Sequence, residues 1–155
     1  MATTPILTLL DELVSKVTTL WAPTGNNAVA RLYQTPFKTS EIQGRKVWFF
    51  PAEYDDEPAT RAEDLITYRV AVIVAERYES AAEPSVAWVD ERVDFVNGLL
   101  DWLEFGRSAS QGLLSIGARE IFTASREPVQ VYDVGMLMKH KTFWSELEFV
   151  FQEVA

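Results

Sequence analysis

The chain contains no cysteine and only one histidine. Disulfides, thiolate metal sites, iron–sulfur clusters and cysteine nucleophiles are thereby excluded, and a zinc site built from several histidines lacks its ligands. Positive charge is also scarce: 14 Lys and Arg stand against 23 Asp and Glu, a formal net charge of −9. Affinity for nucleic acid is driven by neutralising phosphates, so this balance argues against a grip on DNA. No apolar run approaches the roughly 18 residues that a membrane span needs. The leading stretch MATTPILTLLDELVSKV has no basic n-region and carries Asp11 and Glu12 among its apolar residues, so it reads as a helix and not as a signal peptide.

What is present suffices for one core. The chain has 155 residues, 48% of them hydrophobic and 12% aromatic, enough for a single domain over 1–155. Thr4 and Pro5 form a helix-start signal, and Ile6, Leu9, Leu10, Leu13, Val17, Leu20 and Trp21 recur at helical spacing until Pro23 and Gly25 break it. Residues 5–21 are predicted as an amphipathic helix. Val29–Phe37 is a short segment, and Arg45–Phe50 (RKVWFF) is β-like through its valine and aromatics. The polar run 51–64, with Pro51 and Pro58, reads as a loop, and Leu65–Tyr78 is the clearest strand. Ser85 can cap a second helix running to about Phe105, with Gly98 unfavourable inside it. Gly106 to Gly112 forms a connection. Ala118–Thr123 and Val129–Asp133 read as strands, and Thr142–Val154 alternates Phe143, Leu147, Phe149 and Phe151 with polar neighbours. Strands in runs favour an α+β fold: an antiparallel or mixed β-sheet with two amphipathic helices packed on one face.

Those helices cover one face of such a sheet, yet several strands are apolar on both. Val70, Val72 and Val74 oppose Ala71, Ile73 and Ala75; Val47 and Phe49 oppose Trp48 and Phe50; Trp144, Val150 and Val154 oppose the Phe149 set. An exposed apolar sheet face is normally covered. Closure of the sheet or a folded-over loop would do it; so would a second copy or another partner. Charge is also segregated. Arg31, Lys38, Arg45 and Lys46 cluster with only Glu41 against them, while Glu53, Asp55, Asp56, Glu57, Glu63 and Asp64 are opposed by Arg61 alone. These patches either pair between subunits or are simply solvated loops. The candidate interface residues are therefore Arg45, Lys46, Trp48, Tyr54, Asp55, Asp56, Glu57, Arg61, Ala71, Ile73 and Trp144.

A search for chemistry returns little. His140, between Lys139 and Lys141, reads as a surface residue, since acid–base catalysis needs a partner group in reach. No nucleophile elbow occurs. Asp55, Asp56 and Glu57 lack the alternating ligands and glycine of a calcium loop. Neither Gly25 nor Gly106–Gly112 opens a phosphate-binding pattern. The five tryptophans fit core or interface positions. The expectation is a non-enzyme with no catalytic, cofactor-binding or metal-ligating residues and no cofactor.

The order of elements resembles the tail-terminator (neck) proteins of long-tailed bacteriophages. The likeness runs through the leading helix TPILTLLDELVSKV, RKVWFFP before an acidic loop, TYRVAVIVAERY, SVAWVDERVDFVNGLLDWL and the final FWSELEFVFQEV. It covers most of the chain and rests on element order, without a diagnostic motif to carry individual residues across. What the resemblance implies is a homohexameric ring in the virion that caps the tail tube, binds tube protein on one side and a neck or head-completion protein on the other, and lets DNA pass without specific binding. It also marks loop 51–64 and a hairpin near 124–129 as contact elements. Another phage neck or tail-completion protein, or a cellular peptide-binding or adaptor domain, would suit the same residues.

Overall fold

A computed structural model describes residues 5–33, 38–55, 65–106, 112–117 and 119–154. The elements are α1 (Pro5–Trp21), β1 (Ala28–Arg31), β2 (Lys46–Asp55), β3 (Leu65–Arg77), α2 (Val86–Trp102), β4 (Leu114–Ile116), β5 (Arg119–Gln130), α3 (Val134–His140) and β6 (Thr142–Val154). The fold is α+β. Its six strands form one mixed sheet in the order β1-β2-β3-β6-β5-β4, with β1 parallel to β2 and the other neighbours antiparallel.

The middle of the sheet is held by β3 and β6, paired without a break from Leu65↔Val154 to Arg77↔Thr142. Strict alternation fixes this register, because a one-residue slip would turn every buried side chain outward. Val70, Val72 and Val74 on β3 and Phe143, Leu147, Phe149 and Phe151 on β6 are all buried, at 1% exposure or less. They share one cluster with Leu9, Leu10, Leu13 and Val17 of α1 and Val96, Leu99 and Leu100 of α2. Six strands laid flat would span roughly 24 Å, while a helix with its side chains is about 10–12 Å across. Yet α1 touches β1, β2 and also β4, at the opposite edge. The sheet therefore curls around α1, consistent with a leading helix of which Leu9, Leu10, Leu13 and Val17 are all fully buried.

Four expectations are corrected. The loop expected over 51–64 starts late: β2 continues to Asp55, with a register shift between Pro51 and Glu53. A bulge is one of the few places where a strand accepts proline. Residues 56–64 lie outside the described residues. No hairpin occupies 124–129, because β5 runs through it. Pro128 is tolerated there because β4 pairs only with residues 119–121, leaving the rest of β5 as an edge, and a second shift falls between Pro128 and Gln130. The strand expected over Val129–Asp133 ends at Gln130, and a third helix, α3, follows it. Finally, the second sheet face gathers its packed apolar side chains at one end and is interrupted by Glu146 and Glu148.

The cap at Ser85 forms as read: its Oγ accepts from the Trp88 N–H at 3.2 Å. Asp133 caps α3 in the same way, accepting from the Met136 N–H at 3.1 Å.

Candidate interaction surfaces

The back of the sheet, away from α1, carries Lys46, Trp48 and Phe50 of β2, Ala71, Ile73 and Ala75 of β3, and Trp144, Glu146, Glu148 and Val150 of β6. Its apolar part is a compact group. Trp48 and Ala75 are buried together with Ile42, which follows a short 3-10 turn at Thr39–Glu41, and Ala30, Leu32, Phe50, Ile73 and Trp144 pack around them half-covered. The rings of Trp48 and Trp144 meet edge to face at 6.0 Å. Thus the chain's own residues seal part of the face that alternation had marked as open. Further along it turns polar: Glu148 lies opposite Glu127 across the β5–β6 ladder and pairs with Arg69 at 3.3 Å, and Glu146 accepts from the Trp144 indole N–H at 3.2 Å.

The candidate residues from the sequence separate into groups. Trp48, Ala71, Ile73 and Trp144 share the back face, with Trp48 buried and the other three half-covered. Arg45 is spent inside the molecule. Its side chain is 12% exposed; Nε donates to Glu76 at 2.8 Å and Nη2 reaches Glu91 at 3.4 Å. Lys46 Nζ donates to the Asn26 carbonyl, and Arg31 reaches Asp11 at 3.5 Å. Three of the four basic residues grouped by sequence therefore have internal partners. Tyr54 and Asp55 close β2 on the backbone; Asp56, Glu57 and Arg61 lie outside the described residues.

Arg45 belongs to a network that binds α2 to the sheet. Arg92, 11% exposed, donates to Glu76 Oε2 through Nη2 at 2.5 Å and to Glu91 at 3.1 Å. Its guanidinium sits over the Trp88 ring at 4.1 Å, while that of Arg45 sits over Phe95 at 4.5 Å. Both arginines thus use flat cation faces as well as hydrogen bonds. A second buried carboxylate, Glu153, takes a 2.5 Å bond from the Tyr68 hydroxyl and lies 3.4 Å from Arg119.

The surface that the sequence reading missed is α3. Val134, Met136, Leu137 and Met138 make up most of its seven residues, and none is buried. Val134 is 51% exposed and Met138 78%; at i and i+4 they share one face. Beside them, Leu137, Met138, Pro84, Glu83 and Lys141 line a cleft of about 170 Å³. Val129 and Val131, just before α3, are exposed as well. The one signal available was Asp133, a residue type favoured at helix starts, but seven residues carry too little periodicity to be read.

The chain matches no protein-family model and no curated protein sequence. Among the described residues, no helix is long and apolar enough to cross a membrane, and no group of three or more acidic or histidine side chains is placed to share a metal ion. His140 is exposed and lies in a surface recess with Arg77, Lys139 and Lys141. Lys141 Nζ is taken up by the carbonyls of Ser80, Ala81 and Ala82, the Ala81 bond being 2.8 Å. These surfaces offer apolar area rimmed by charge.

Proposed function

We propose that this protein is a structural assembly subunit, and more finely a ring-forming tail terminator that caps a phage tail tube and joins tail to neck without catalysis. The observation that carries the reading is α3: Met136 and Leu137 are half-covered, but Val134 and Met138 stand 51% and 78% exposed, apolar area that a lone copy holds in water at a cost of roughly 25 cal/mol per Å². Half-covered Phe50, Ile73 and Trp144 support it from the back of the sheet. In this reading α1 and α2 sheathe one side of the curled sheet, and the back is turned to other components. The acid on that side, Glu127, Glu146 and Glu148, suits a conduit in a virion, because like charge lets DNA slide past instead of sticking. The partners are then further copies of the chain in a hexamer, the tube protein below and a neck or head-completion protein above.

The test is a length-control assay. Purified chain added to polymerising tail tube protein should stop growth and appear as a ring at one tube end in negative stain. Tubes of unaltered length with no terminal density would reject the terminator. The rival reading, a peptide-binding adaptor, draws on the cleft at Leu137 and Met138; it requires a stable monomer or dimer that binds peptide there.

A further inference from the structure

We infer that α3 is the docking element between copies and that it seats on the acidic stripe of α2 in the next copy, an inference that rests on the assembly reading above. Charge complementarity selects the occupant. The C-terminal end of α3 is rimmed by Arg77, Lys139, His140 and Lys141, which share one recess with Glu79 as its only acid. This is a concentration of positive charge in a chain whose net charge is −9. On α2, Asp90, Asp94, Asn97 and Asp101 are all exposed and recur at i, i+4, i+7 and i+11, so they form a single stripe along the helix. Asp101 already holds Arg126 at 3.2 Å, but Asp90 and Asp94 have no ion pair among the described residues. The one arginine of α2, Arg92, is turned inward to Glu76. Asp90 and Asp94, the first half of the stripe, are therefore uncompensated acid.

Contact of α3 with α3 would set two basic rims against each other, and like charges across an interface are strongly disfavoured. Contact of α3 with the α2 stripe pairs opposite charges and leaves Val134 and Met138 to be covered between them. Joining two different surfaces makes the contact heterologous, the type that closes rings.

Self-association of the full chain, followed by sedimentation across a concentration series, tests this with exposed positions only. Met138→Asp should weaken association by roughly tenfold or more, since it puts a charge at the centre of the contact. Lys139→Glu and the pair Asp90→Lys with Asp94→Lys should each weaken it, and combining all three reversals in one chain should restore it. Unchanged thermal melting of each variant shows that the fold is retained. Association unaffected by Met138→Asp and Lys139→Glu overturns the α3 contact while leaving the assembly reading in place. So does loss of tube-protein binding with self-association intact, which would seat a different partner on α3. A wild-type chain that stays monomeric throughout overturns both.

Discussion

Removing the Glu76 carboxylate should be among the most costly single changes away from the hydrocarbon core. Glu76 is 14% exposed and is the shared partner of two guanidiniums that are 12% and 11% exposed. Glu76→Gln keeps the volume and removes the charge, leaving Arg45 and Arg92 facing each other with only Glu91, itself 67% exposed, to balance them. Breaking a buried pair from one side costs about 3–5 kcal/mol. The residual solvent access and the surviving Glu91 contacts reduce this to about 2–3 kcal/mol. For a chain of this size that corresponds to roughly 4–12 °C in melting temperature. The assay is urea unfolding at constant m, with Glu91→Gln as a control that removes the same charge at an exposed site and should cost under about 0.5 kcal/mol. Raising the salt should shrink the Glu91 effect much more than the Glu76 effect. Equal losses for the two variants, or a Glu76→Gln loss below about 0.5 kcal/mol, would show that the network is solvent-screened and does not anchor α2.

Three further changes follow from the backbone and the caps. Gly98 lies within α2 and a Cβ there would meet nothing within 4 Å, so Gly98→Ala should stabilise by about 0.5–1 kcal/mol, read as a raised melting temperature. Gly44→Ala should do the opposite: its φ is +77° and a Cβ would stand 2.8 Å from the Asn26 backbone, so a loss of about 1–3 kcal/mol is expected in the same denaturation assay. Ser85→Ala removes the acceptor for the Trp88 N–H and should cost about 1 kcal/mol, read as a lowered urea midpoint, with faster amide hydrogen exchange in the first turn of α2.

Signals that act locally were legible in the sequence. Pro5 at the front and Pro23 with Gly25 behind bracket α1, whose bounds are Pro5–Trp21. The alternation through Thr142–Val154 is long enough to define β6 from end to end. What escaped was decided by neighbours distant in sequence. Pro51 and Pro128 look like strand breakers until a bulge and an unpaired edge are available to take them. Alternation says which face a residue is on but not what lies beside it, so several strands were read as apolar on both faces and in need of a cover. In the structure Glu146 and Glu148 interrupt it, and Ile42, 3% exposed, seals Trp48 and Ala75. The basic cluster at Arg31, Arg45 and Lys46 likewise looked available until Asp11, Glu76 and the Asn26 carbonyl were folded against it. α3 escaped for the opposite reason: of its seven residues only Met136 and Leu137 are half-covered and none is fully buried, too short an inward face to impose a period.

The central claim is that the apolar surface left open at α3 and half-open at Trp144 is covered by other copies of this chain. Native mass measurement of the intact protein over a rising concentration series tests it most directly. The account predicts a concentration-dependent rise from monomer to a closed species of about six copies. A single monomer mass persisting to millimolar concentration would contradict it.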